Sequence, residues 1–182
     1  MKRITILNGI PDDSYTEFEA ALDGVAATEK PDRRIDVIRL RDLDIRYCTG
    51  CWDCWVKTPG LCAHRDDMDT VYKSVMQSDL FVFLSPVSMG FVSSLTKKTC
   101  DRMIPLVHPY IVVYKDEFHH KNRYEKRPEM GLFLLDPDKN DVDFHNTRNI
   151  FSRLSINLQT DLTLALHLTG SEKEVYDEIS TL

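Results

Sequence analysis

Leu80-Phe81-Val82-Phe83-Leu84-Ser85-Pro86-Val87-Ser88-Met89-Gly90 is the stretch whose reading decides the fold. Five consecutive large apolar residues, closed by Ser-Pro, read as a strand buried on both faces, since a half-solvated strand would alternate. Just upstream, Met68, Val71, Tyr72, Val75 and Met76 recur at helical spacing within Asp66 to Ser78, which predicts an amphipathic helix. Downstream, a second helix is expected from about Val92 to Met103, ended with the help of Pro105. A doubly covered strand between two helices is a unit of a parallel sheet.

The rest of the chain repeats that unit. Ile4 to Leu7 is a β-branched run ending in Asn8-Gly9, and Ser14 to Val25 follows as a helix with Phe18, Ala21, Leu22 and Val25 on one face. Ile35 to Leu40 alternates with Asp36 and Arg39, as an edge strand does. Tyr110 to Tyr114 is β-prone, and His119 to Pro128 reads as a polar, exposed loop. Gly131 to Leu135 is a core strand. Phe144, Thr147, Phe151, Leu154 and Leu158 line a helix, Leu162 to Leu168 is a last strand, and Ser171 with Glu174 forms a capping box. Right-handed βαβ units then give an α/β three-layer sandwich with five parallel strands in the order 2-1-3-4-5. Ile4–Leu7, Leu80–Leu84 and Gly131–Leu135 take the centre. Ligands of such sheets sit beyond the carboxyl ends of the strands, so the loops starting at Asn8 and Ser85 should lie side by side. Without repeats or linkers, residues 1–182 read as one domain.

Composition narrows the function. A net charge of −6 with scattered lysines and arginines argues against nucleic-acid binding. No apolar run approaches the length of a membrane span, and the run after Lys2-Arg3 stops at Asn8, so a cytoplasmic protein is expected. Four of the five cysteines fall in one segment, Cys48-Thr-Gly-Cys51-Trp-Asp-Cys54-Trp followed by Pro59-Gly60-Leu61-Cys62, with Asp66-Asp67-Met68 after it. In a reducing compartment that density points to metal or redox chemistry, not to structural disulfides. Four thiolates can hold an iron–sulfur cluster or zinc, or the cysteines can be packed thiols without metal. Cys100 and His167 read as core residues; Trp52 and Trp55 as packing for the cysteine loop or shields for a ligand.

Three segments, in this order and spacing, resemble the NADPH-dependent FMN reductase and iron–sulfur flavoprotein branch of the flavodoxin-like superfamily. They are the cysteine segment; Ser85 to Gly90 with Ser93, Lys97 and Asp101-Arg102 behind it; and Asn8-Gly9-Ile10-Pro11 ahead of Ser14 and Thr16. The resemblance implies flavin contacts at Ser85, Pro86, Val87, Ser88, Met89 and Gly90, and a phosphate loop using Gly9, Pro11, Ser14 and Thr16. It implies Cys48, Cys51, Cys54 and Cys62 as ligands of a [4Fe–4S] cluster where one is present. The implied activity is an FMN-dependent NAD(P)H oxidoreductase passing electrons to a quinone, an aromatic acceptor or a redox partner, in a homodimer or homotetramer. No side chain is expected to act as general acid or base, because flavin chemistry asks the protein for orientation. The phosphate loop departs from the family: Ile10 and Asp12 replace a serine and a basic residue, Asp13 adds an acid, and Tyr15 replaces asparagine. These changes, with Ser88 and Met89 where an aromatic is usual, keep open a binding or regulatory protein that has lost FMN, alongside an iron–sulfur flavoprotein electron carrier.

Overall fold

Alternate residues of the Leu80–Leu84 run enter two different cores. Leu80, Val82 and Leu84 pack on one side, Phe81 and Phe83 on the other, and all five are buried. The computed structural model describes residues 1–28 and 30–182. Its elements are β1 (Lys2–Asn8), α1 (Thr16–Ala27), β2 (Arg33–Arg39), α2 (Asp53–Val56), α3 (Met68–Gln77), β3 (Leu80–Ser88), β4 (Phe91–Val92), α4 (Ser94–Asp101), β5 (Val107–Tyr114), β6 (Glu117–Asn122), β7 (Glu129–Leu135), α5 (Asp141–Asn157), β8 (Leu162–Leu168) and α6 (Glu172–Asp177).

The five long strands of the main sheet run parallel in the order β2-β1-β3-β7-β8, the expected 2-1-3-4-5 path. Phe18 and Leu22 of α1 and Val175 of α6 cover one face. Met68 and Val71 of α3 and Phe151 of α5 cover the other. Burying a phenylalanine such as Phe83 contributes roughly 1.5–3 kcal/mol. Its edge-to-face contact with Phe151, 5.3 Å between centroids at 73°, adds about 0.5–1.5 kcal/mol. Among the described residues no helix is long and apolar enough to cross a membrane.

Two expectations need correction. His119 to Asn122 is not loop but part of β6, paired antiparallel with β5 in a separate two-stranded sheet. His119 is buried, with Nδ1 3.0 Å from Asn157 Oδ1 and Nε2 3.0 Å from Glu117 Oε2. The helix expected from about Val92 to Met103 spans Ser94–Asp101 as α4, because a tight β3–β4 hairpin takes up Phe91 and Val92 first.

Candidate functional site: two loops at the strand ends and a cysteine pocket

β1 and β3 end side by side, and the loops they feed are bonded together. Gly9 N–H donates to Leu84 O (2.8 Å), and the Ser93 hydroxyl, at the start of α4, donates to Gly9 O (2.6 Å). A side chain at Gly9 is sterically forbidden, since a Cβ there would lie 1.9 Å from Thr96 Oγ1. Ser85 is buried; its hydroxyl accepts the Ser93 N–H (2.8 Å) and donates to Pro86 O (2.9 Å), so it ties the hairpin base to α4. Ser93 and Thr96 thus position both loops. Their S-x-x-T spacing, with the Ser93 side chain capping Thr96 N–H, was the available sequence signal.

Beyond Pro86 the hairpin rises into solvent. Val87 pairs with Val92 and Ser88 with Phe91, leaving Met89 and Gly90 as a two-residue turn with φ of 51° and 76°. Such turns need left-handed backbone at both positions, which glycine supplies freely and methionine does not. Met89 is fully exposed, and Gly90 lies against the Asp143 carboxylate at the first turn of α5.

The other loop is acidic and internally satisfied. Pro11, Ser14 and Thr16 are exposed. Asp12 Oδ1 accepts the Ser14 N–H (3.0 Å) and the Ser14 hydroxyl (2.5 Å), while the Thr16 hydroxyl donates to Asp13 O (2.8 Å). The Ser14 hydroxyl and then its N–H hold the Asp12 carboxyl below the usual carboxylate range. Arg41 reaches the loop at Ile10 O (3.3 Å), but its guanidinium is paired with buried Glu19 at 2.7 and 3.0 Å. Glu19 in turn accepts from Asn8 Nδ2 (2.5 Å), and Asn8 Oδ1 accepts the Ile10 N–H (2.9 Å). At the same corner the Tyr15 hydroxyl is pushed up by burial and then by the charges of Asp136 and Asp12.

Cys48, Cys51, Cys54 and Cys62 line one pocket, and all are free thiols. Cys54 and Cys62 are buried, Cys48 and Cys51 exposed. Burial, followed by the neighbouring Cys62, Cys51 and Cys48, pushes the Cys54 thiol up. Trp55 anchors the segment by donating Nε1–H to Val107 O (2.9 Å), with the Trp52 and His120 rings tilted against it at 4.8 and 4.5 Å between centroids. Arg102 and His64 line the same pocket, and Arg102 Nε and His64 Nε2 are buried without a hydrogen-bond partner. The rest of the Arg102 guanidinium is engaged: Nη1 and Nη2 bond Asp66 at 2.9 and 3.0 Å, and Nη1 also bonds Arg46 O at 2.7 Å. Among the described residues no three His, Cys, Asp or Glu side chains are gathered tightly enough to hold one metal ion. The four thiols lining this pocket are the donor type that an iron–sulfur cluster or a zinc ion takes. The helix expected from Asp66 starts at Met68 as α3, and the Asp66 carboxylate accepts the Met68 N–H (3.2 Å) as well as pairing with Arg102. Cys100, partly buried, packs against the core, and His167 stacks on Phe144 (4.5 Å) with Nε2 3.2 Å from Asp136.

A family model described as NADPH-dependent FMN reductase matches residues 2–123. Over 74 residues the chain is 38% identical to an iron-sulfur flavoprotein of Archaeoglobus fulgidus, covering 41% of this chain and 33% of that protein. The chain thus aligns with only a third to a half of the length of such curated relatives. Among solved structures, Smu.1420 from Streptococcus mutans superposes with a TM-score of 0.65 at 10% identity, covering 98% of this chain and 97% of that one. An FMN-dependent NADH-azoreductase from Bacillus anthracis, in complex with FMN, superposes with a TM-score of 0.55 at 13% identity, covering 100% and 98%. At these identities the superpositions establish a shared fold.

Proposed function

Because the chain belongs to the NADPH-dependent FMN reductase family, we propose that it is an FMN-dependent NAD(P)H oxidoreductase that passes electrons to a quinone, an aromatic acceptor or a redox partner. The observation carrying this reading is the stitched pair of loops at the ends of β1 and β3, where ligands of doubly wound sheets bind. FMN, when bound, supplies hydride acceptance from nicotinamide and the capacity to release electrons singly or in pairs.

This chain's residues supply the seat. The Val87–Gly90 hairpin, braced at its base by Ser85 and Ser93, would offer its backbone and the exposed Met89 side chain to a planar ring. Pro11, Ser14 and Thr16 face the ribityl and phosphate end. There the Ser14 N–H and hydroxyl are an anion's donors, and the Asp12 carboxylate stands on them now. The loop therefore fits a phosphate once Asp12, an exposed side chain, turns away.

For the second redox group, the four free thiols and the similarity to iron-sulfur flavoproteins favour a [4Fe–4S] cluster over zinc. Cys48, Cys51, Cys54 and Cys62 would hold it, and it would store single electrons. Trp55 fixes the loop that carries three of the four ligands. The same reading takes residues 1–182 as one cytoplasmic domain acting in a homodimer or homotetramer.

The test is NADPH and NADH oxidation by the FMN-loaded protein with a quinone, with an aromatic nitro or azo compound, and without acceptor. Acceptor-dependent oxidation is expected. Failure of FMN to bind, with no oxidation of either nucleotide, would instead favour a flavodoxin-fold binding protein that has lost its flavin.

A further inference from the structure

Buried polar groups without partners are rare, because each forfeits its hydrogen bonds to water. Arg102 is 1% exposed, yet its Nε has no partner. Nη1 and Nη2 are both held, by Asp66 and by Arg46 O, which fixes the plane of the guanidinium. Arg102 lines the pocket formed by the four cysteines.

We propose that Arg102 donates its free Nε–H to a sulfur of the centre held by Cys48, Cys51, Cys54 and Cys62, and thereby raises the reduction potential of that centre. The inference rests on the cluster reading above. Four thiolates concentrate negative charge, and one-electron reduction adds another. A hydrogen bond to sulfur stabilises the more negative, reduced state more than the oxidised one. Asp66 neutralises the guanidinium as a whole, so the effect is carried by the directed N–H and not by an unpaired charge. Arg102 thus tunes the centre by a direct hydrogen bond without ligating it.

The test compares the wild type with two variants after anaerobic reconstitution with ferrous iron and sulfide. Arg102→Lys keeps a cation for Asp66 but has no Nε–H in a fixed plane. The double variant D66L/R102M removes both buried charges together, so no lone carboxylate is left inside. Iron and sulfide are counted, folding is followed by circular dichroism, and the midpoint potential is read from the visible spectrum during titration with dithionite, which supplies the single electron. The expected result is wild-type iron content, about four per chain. The ratio of reduced to oxidised centre should fall about tenfold at a fixed potential in both variants, equivalent to about 59 mV for one electron. An unchanged potential in variants that load iron fully overturns the role given to Arg102 while the cluster reading stands. Wild-type protein that takes up no iron and sulfide overturns the cluster reading itself. A purely structural role would lower folding stability and iron content and leave the potential of the loaded fraction where it was.

Discussion

Asp12 accepts both the backbone N–H and the hydroxyl of Ser14, at 3.0 and 2.5 Å, so the donors that would face a flavin phosphate are bonded to the protein's own carboxylate. The cation that reaches this loop, Arg41, is committed to Glu19. The loop can still meet an anion, but Asp12 has to leave first and Asp13 stays close by.

Removing that carboxylate should therefore favour phosphorylated flavin selectively. Asp12→Asn keeps an oxygen that can cap Ser14 and removes the charge. FMN affinity is expected to rise by roughly three- to tenfold at low salt and less at high salt, since exposed charges are screened. Riboflavin, without a phosphate, should change much less. Fluorescence titrations of both flavins on both proteins check this, and parallel shifts of the two would show that Asp12 does not limit phosphate binding.

The Arg102–Asp66 pair gives a stability prediction with an internal control. Both side chains are almost wholly buried. Arg102→Met leaves an uncompensated carboxylate inside and should cost about 3–5 kcal/mol. D66L/R102M removes both charges and should cost clearly less than either single change. Urea unfolding of the wild type, Asp66→Leu, Arg102→Met and the double variant measures the difference, and additive costs would mean that the two residues do not act as a pair.

Glu174 supplies a pH dependence whose sign follows from its partners. Burial would push its carboxyl up, but the Thr169 N–H and hydroxyl and the N–H groups of Ser171 and Gly170 hold it down to about 2. A carboxyl depressed in the folded state stabilises fully above its unfolded value, near 4.3, and this stabilisation is lost as pH falls toward 2. Glu174→Gln should lower unfolding stability at pH 7 by on the order of 2–3 kcal/mol. The gap from wild type should close between about pH 5 and pH 2. Chemical denaturation across that range checks it; a gap that is constant with pH would place the loss in shape and not in charge.

What the sequence disclosed, and what it hid, divides along the distance over which each interaction acts. Leu80–Leu84 and Gly131–Leu135 announced central strands because burial on both faces is written into consecutive residues. Ser171 and Glu174 announced a capping box because its partners are three residues apart, and the cap is formed. His119-His120 concealed a strand: the partner of the His119 ring, Asn157, lies thirty-eight residues away, and polar residues carry no β periodicity of their own. Arg102 looked like a helix-end residue because its partner Asp66 lies thirty-six positions upstream. The cysteine spacing pointed to one pocket, but the nitrogens of Arg102 and His64 beside it had no local signal at all. Asp12 and Asp13 were visible as acids; that Asp12 bonds the Ser14 donors was not.

The most direct test of the account is the visible spectrum of the protein reconstituted anaerobically with FMN, iron and sulfide, recorded before and after NADPH. The account predicts flavin absorbance that bleaches on addition of NADPH, over a broad iron–sulfur absorbance that is lost when Cys54 and Cys62 are both replaced by serine. A colourless protein that retains neither FMN nor iron, and leaves NADPH unoxidised, would contradict it.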